Sequence, residues 1–348
     1  MLRLHPYMIT ENTFAFYSKE DIAPFLKQRA GEKKVGDKIE LLPDGSWEKL
    51  AESSAKFALF CIPEDIGVRG NLGAGGAYGS RIPFLKAFLN VQSNRFFSGA
   101  ETVLLGSFDF SKLLSEAENA DPETLREMTS AMDKSVSTLV RKIRSAGKIP
   151  VAVGGGHNNA YGMIRGCCEA SGKPMNVVNC DPHSDFRSME GRHSGNGFRY
   201  AAEEGFLEKY AVIGLHEGYN SEDNLRALDD FGKRVHYSFF EDIFIRNSNS
   251  GAFQNAMNNA IKHTGNEYGI ELDLDSVAFA PVSALTPSGL SLEQAREYVH
   301  YFASNGSPKY FHVCEAAPGN MNHPESLIGK TLSYLVVDFM KGLRSNAQ

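Results

Sequence analysis

The stretch Asp181-Pro182-His183-Ser184-Asp185 sits at the exit of an apolar run, Met175-Asn176-Val177-Val178-Asn179-Cys180. A β-strand alternates its side chains between faces. If the strand continues to its end, Asp181, His183 and Asp185 therefore face one pocket. Ionisable groups at that density are costly in a protein interior unless a cation joins them. The same device returns at Glu271-Leu272-Asp273-Leu274-Asp275, after Tyr268-Gly269-Ile270. A third apolar run, Ile149-Pro150-Val151-Ala152-Val153, empties into Gly154-Gly155-Gly156-His157. These three strand ends supply two imidazoles, His157 and His183, and four carboxylates, Asp181, Asp185, Asp273 and Asp275. That set is enough to hold two divalent metals. Glu271 shares the parity of Asp273 and Asp275, and either joins them or stands by.

A carboxylate-rich set with a minority of imidazole suits Mn²⁺ better than a thiolate-preferring metal. Paired metals can share a hydroxide, lower its pKa and aim it at an electrophilic carbon. The pattern reads as a dinuclear metallohydrolase.

Apolar runs alternating with helical patterns predict an α/β fold. The expected form is a single three-layer α/β/α domain with a mainly parallel sheet. Strands are expected at 57–63, 102–106, 151–153, 175–181, 211–215, 235–238, 268–273 and 310–315. A long helix is expected from Asp121 to Ala146, with Asp121 as its cap, Pro122 in its first turn and Gly147 at its end. Further helices are expected at 158–170, 221–228, 252–263, 292–303 and 325–343. The polar clusters fall at the carboxyl ends of strands, where open α/β sheets place their sites. Residues 1–55 are mixed and charged and are expected to wrap the metallohydrolase domain of residues 56–348. The glycine-rich stretch 67–76 contains no phosphate-binding motif and reads as a loop and helix entry that forms one wall of the pocket.

A formal charge of −6 argues against nucleic acid as a main partner, because phosphate binding needs a basic face. No run of about 20 apolar residues is present to span a membrane, and Met1–Pro6 lacks the apolar stretch of a signal peptide. The five cysteines include no C-x-x-C spacing, which fits reduced thiols and a cytoplasmic protein.

These ordered motifs resemble the ureohydrolase family, which includes arginase, agmatinase, guanidino-acid hydrolases and formimidoylglutamase. Gly154-Gly155-Gly156-His157-Asn158 is similar to the family's G-G-D-H-S, Asp181–Asp185 to D-A-H-x-D, and Asp273-Leu274-Asp275 to the later D-x-D. Cys314-Glu315-Ala316-Ala317-Pro318 is similar to the late E-x-N-P segment. The resemblance implies one manganese on His157, Asp181, Asp185 and Asp273, and a second on Asp181, His183, Asp273 and Asp275. Asp181 and Asp273 would bridge the ions, Asp185 would carry a proton to the leaving nitrogen, and Glu315 would pair with a cationic amidine or guanidine. It also implies a small-molecule amidine or guanidine substrate and a homo-oligomer.

Departures from the family pattern are informative. The family aspartate before the first histidine is Gly156 here, so a group that supports the metal ligands is missing. Arg192-His193-Ser194-Gly195-Asn196-Gly197-Phe198-Arg199 resembles the family's substrate loop without the histidine that follows S-G-N in arginases. His193 is then a candidate proton shuttle, or else a plain loop histidine. Arg187, Ser194, Asn196 and Arg199 are candidate substrate contacts, with Asn71 next in line. The short loop ending in Pro281-Val282-Ser283-Ala284, and Asp185-Phe186-Arg187, resemble formimidoylglutamase segments. They favour N-formimino-L-glutamate over arginine, agmatine or another guanidino acid. A metal-binding homologue without turnover is the alternative from a different class.

Overall fold

The computed structural model describes residues 13–247, 251–319 and 325–345. Nine strands form one sheet in the order β1-β3-β2-β4-β9-β8-β5-β6-β7. They are β1 (Phe14–Phe16), β2 (Phe57–Cys61), β3 (Thr102–Phe108), β4 (Ile149–Val153), β5 (Met175–Cys180), β6 (Leu207–Leu215), β7 (Val235–Phe239), β8 (Gly269–Asp273) and β9 (Tyr310–Cys314). Every neighbouring pair is parallel except β1 with β3. The antiparallel edge strand comes from the segment expected only to wrap the domain; residues 1–12 of that segment lie outside the described ones.

Strands buried on both faces read as continuous apolar runs, and β2, β3 and β9 are buried at every residue. Alternation still sorts their side chains. Phe57, Leu59 and Cys61 enter one apolar layer with helices Arg81–Phe88, Leu292–Ser304 and Glu325–Ser345. Ala58, Phe60 and Ile62 enter the other, against helices Pro122–Ser145 and Asn159–Ser171. The long helix starts as its sequence predicts: Asp121 accepts the Thr124 N–H at 2.8 Å, and Pro122 occupies the first turn.

Parallel strands put their carboxyl ends on one edge. Across the centre of the sheet β4, β9, β8 and β5 are consecutive neighbours. His157, Glu315, Asp273 and Asp181 all lie at or just beyond those four ends. The fold thus gathers residues from distant parts of the chain at one sheet edge.

Candidate metal centre

The ligand candidates are not aligned by strand pleating. β5 ends at Cys180, so Asp181–Asp185 is a loop, and Asp185 has a left-handed backbone with φ 46°. Aspartate tolerates that region better than most residues. The Asn220 side chain shapes this loop, accepting the Ser184 N–H at 2.9 Å and donating to the Pro182 carbonyl at 3.0 Å. After Asp273 the chain turns into a 3₁₀ turn over Leu274–Ser276, with Asp273 accepting the Asp275 N–H at 2.7 Å. Strand parity therefore groups Glu271 with Asp273, as expected, but not with Asp275.

His157 is the hub. Its Nδ1 lies 2.9 Å from Asp185 Oδ2, 3.1 Å from Asp181 Oδ2 and 3.1 Å from Asp273 Oδ2. One ligand atom from each of these four buried residues lies within 4.8 Å of the others. On the far side of the two shared aspartates, His183 Nδ1 is 3.6 Å from Asp181 Oδ1 and 3.7 Å from Asp275 Oδ2. Asp181 and Asp273 therefore each have one oxygen toward His157 and the other toward the residues after their own strand. Of the six residues singled out from sequence, His157, Asp181, Asp185 and Asp273 converge as one group, and His183 and Asp275 adjoin it.

Several of these atoms are buried without a hydrogen-bond partner: both ring nitrogens of His157, Asp275 Oδ1 and Glu315 Oε2. The like charges are also in conflict. Burial, reinforced by the charge on Asp273, pushes Asp275 well above the ordinary carboxylate range. Burial and the Asp181 charge raise Asp185 to about 6. Asp181 moves the other way: burial opposes its ionisation, but the adjacent His157 and His183 rings outweigh it. Orphaned donor atoms and repelling carboxylates fit a pair of hard cations.

Behind His157, Glu271 Oε2 lies 3.5 Å from Nε2 and 2.7 Å from His312 Nδ1. Glu271 and His312 pair across β8 and β9, and both are buried. This is the arrangement by which a carboxylate fixes the ring of a ligating histidine. His183 is braced differently, stacking on the Tyr219 ring at 5.5 Å, which stacks on His216 at 4.9 Å.

A cavity of about 230 Å³ opens on this cluster. His183, Asp185, Asp273, Asp275 and Glu315 form its floor. Its wall includes Asn71, Leu72 and Gly73 of the glycine-rich stretch, with Arg187, Ser194, Tyr219 and Ser283. Glu315 has φ 62°, and its Oε1 accepts the His157 N–H at 2.7 Å.

The expected substrate loop divides. Arg187 and Ser194 line the cavity, and Asn71 Nδ2 donates to Ser194 Oγ at 3.3 Å. Gly195 makes this convergence possible, because a Cβ there would lie 2.8 Å from both Arg187 Cδ and Asn71 Nδ2. The other candidates are placed elsewhere. His193 is buried, with Nδ1 accepting the Gly195 N–H at 3.1 Å and Nε2 3.3 Å from Glu190 Oε1. Burial and the nearby Arg126 charge lower its pKa to about 4, so it is a neutral loop strut, not a residue of the cavity wall. Asn196 is buried in the same loop, bonded by Arg192 at 2.6 Å, and Arg192 itself pairs with Asp133 at 2.8 Å. Arg199 lies on helix Gly197–Glu203 and lines a separate surface cleft with Glu203, Arg226 and Asp230.

Tyr219 and Asn220 escaped the sequence reading, and Ser283 entered it only as part of the segment Pro281–Ala284, not as a cavity residue. Asn and Ser in loops carry no distinguishing signal, and only the register of β6 beside β5 brings residues 219 and 220 to the cavity.

The chain is similar to known proteins in sequence and in fold. A formimidoylglutamase of Geobacillus sp. (strain WCH70) is 27% identical over 289 residues, covering 82% of this chain and 83% of the relative. One from Streptococcus pyogenes serotype M3 is 28% identical over 217 residues, covering 59% and 65%. In fold, the chain is similar to a crystal structure of Trypanosoma cruzi formiminoglutamase with Mn²⁺, with a TM-score of 0.71, 20% identity, and 90% and 98% of the two chains covered. The corresponding values for Bacillus subtilis formimidoylglutamase are 0.71, 17%, 94% and 99%. Residues 57–335 match the profile of the Arginase family, a span that holds every residue of the cluster, and the chain belongs to that family.

Proposed function

We propose that this protein holds two manganese ions and hydrolyses N-formimino-L-glutamate to L-glutamate and formamide. The observation that carries the reading is the convergence of His157, Asp181, Asp185 and Asp273 ligand atoms within 4.8 Å, with Asp185 and Asp273 lining a small cavity. His157, Asp181, Asp185 and Asp273 would hold one ion; Asp181, His183, Asp273 and Asp275 would hold the other. When bound, such a pair supplies Lewis acidity and a water activated at neutral pH.

The chain's own residues provide the rest. Glu315 Oε2 is buried and unpartnered beside the cavity, placed to accept the N–H groups of a cationic amidine. Asp185, which lines the cavity, takes the proton of the attacking water and delivers it to the departing glutamate nitrogen as the C–N bond breaks. The hydroxyl oxygen stays on the formyl carbon, so formamide and the free amine account for every atom. Arg187 is the one arginine lining the cavity among the described residues, and no lysine joins it. A single guanidinium opposite a carboxylate floor suits a substrate with an amidine at one end and a carboxylate at the other. Agmatine, cationic at both ends, would set charge against Arg187. The formimidoylglutamase relatives support the same substrate.

Among the described residues no helix is long and apolar enough to cross a membrane. A cytoplasmic homo-oligomer is our reading of the setting, and sedimentation velocity checks the assembly. The deciding experiment is one screen of manganese-loaded protein against formiminoglutamate, arginine, agmatine and guanidinobutyrate. Formamide release from the first should dominate. Faster urea release from arginine would move the substrate, and full metal content with no turnover on any of the four would favour a non-enzymatic homologue.

A further inference from the structure

Glu64 follows β2, is fully buried, and belongs to no group considered so far. Its Oε1 accepts from the Gly156 N–H at 2.9 Å, Asn158 Nδ2 at 3.2 Å and Asn159 Nδ2 at 2.6 Å. Its Oε2 accepts from the N–H groups of Ile66 at 2.8 Å and Gly67 at 3.4 Å. Every partner is a neutral N–H. A carboxylate taken this far from water is tolerated when its lone pairs are bonded in this way.

What those bonds hold is the turn Gly154–His157. The His157 N–H at its end donates to Glu315 Oε1 at 2.7 Å, and the Glu315 N–H returns to the Gly155 carbonyl at 3.0 Å. Since β2, β4 and β9 are consecutive in the sheet, Glu64 ties its own strand exit to the exits that carry His157 and Glu315.

The neighbouring substitutions belong to the same device. A Cβ on Gly156 would lie 2.6 Å from both Asn158 Oδ1 and Val68 Cγ2, so an aspartate at 156 requires both side chains to move. A Cβ on Gly67 would lie 2.1 Å from Asn158 Oδ1, so glycine there makes room for that side chain. We propose that Glu64 supplies, from the adjacent strand, the carboxylate that the family motif G-G-D-H-S carries beside its histidine. It is thus the positioning residue for His157 and Glu315. The supporting group that Gly156 lacks is replaced, not lost.

The part that concerns metal rests on the proposed function, so the test reads the turn with and without manganese. In metal-free protein, hydrogen–deuterium exchange of residues 154–160 should be faster in Glu64→Gln than in wild type, with β6 unchanged. In a manganese titration, Glu64→Gln should bind one ion about ten- to a hundred-fold more weakly and the other as wild type, because His157 serves only one ion. The triple variant Glu64→Ala, Gly156→Asp, Asn158→Ser moves the carboxylate back to position 156, and should recover the two-ion titration that Glu64→Ala loses. Unchanged exchange overturns the proposal. So does faster exchange with both ions bound as in wild type, which would make Glu64 purely structural. If Glu64→Gln exchanges fast everywhere, the triple variant decides: recovery upholds the proposal and no recovery sinks it. Wild-type protein that takes up no manganese would refute the proposed function, while the exchange comparison would still decide whether Glu64 holds the turn.

Discussion

Glu315→Gln separates substrate binding from metal binding. Glu315 Oε1 already accepts the His157 N–H at 2.7 Å, and Oε2 is left facing the cavity without a partner. Glutamine keeps the volume but replaces one acceptor with an amide NH₂. Turned one way, that NH₂ meets the His157 N–H; turned the other, it meets the substrate amidinium. Neither rotamer satisfies both neighbours. Removing one partner of a buried ion pair costs about 3–5 kcal/mol. The cavity is open on one side, so the lower end applies. About 3 kcal/mol corresponds to roughly a hundredfold loss in kcat/KM. Glu315 is not among the proposed ligands, so the variant should retain both ions by elemental analysis. Formamide release from N-formimino-L-glutamate, measured across substrate concentrations, gives the kinetic loss. A drop of less than about tenfold with full metal content would refute the assignment of Glu315 to the amidine.

Arg187→Ala should lower kcat/KM for formiminoglutamate by about tenfold, the low end for a charge-assisted contact because the side chain is half exposed. Arg199→Ala, in its separate cleft, should leave those kinetics unchanged, and equal losses in the two variants would return substrate recognition to the whole loop. Asp181→Ala and Asp273→Ala should each disturb both ions, and His157→Ala only one, as read by manganese titration; full occupancy in Asp181→Ala would refute the bridging arrangement. His193 is held by burial at a pKa of about 4 against an ordinary 6.5, so the unfolded chain takes up a proton that the folded chain refuses. Its contribution is intact above pH 6.5 and is lost as the pH falls toward 4, by about 3 kcal/mol in full. Urea unfolding at pH 7, 5.5 and 4 should show a shallower acid decline in His193→Asn than in wild type.

Much of the sheet was legible because buried parallel strands write themselves as short apolar runs. The cluster was legible because carboxylates and imidazoles recur at the ends of three such runs. Met175–Cys180 and Gly269–Asp273 sit within a residue of their expected limits. The edge strand Phe14–Phe16 was not legible, because three residues in a charged segment carry no period. The reason first given for the grouping of Asp181, His183 and Asp185 also fails. Pleating does not align them; a loop does, with Asn220 as its brace. The substrate loop shows the sharper limit. Arg187 and Arg199 look equivalent in sequence, yet the first precedes the 3₁₀ turn at Ser194–Asn196 and the second rides on the helix after it, which turns it to another face.

The least legible property is where the backbone is held against its preference. Four described non-glycine residues have positive φ: Leu72, Asp185, Phe279 and Glu315. Three of the four line the cavity. Each such conformation costs on the order of 1–3 kcal/mol and persists only where surrounding contacts fix it. The contacts are visible: Glu315 is tied to Gly155 and His157, and Asp185 is set between Ser184, held by Asn220, and Arg187, whose N–H donates to the Gly195 carbonyl at 3.0 Å. Local propensity would have placed these residues differently, and tertiary bonds overrule it. The strain falls on the two carboxylates assigned to the amidine and to the proton, so the sheet edge directs them at the cavity at the expense of local backbone comfort. A sequence reads out which groups a site owns; the cost of aiming them is written only in the packing around them.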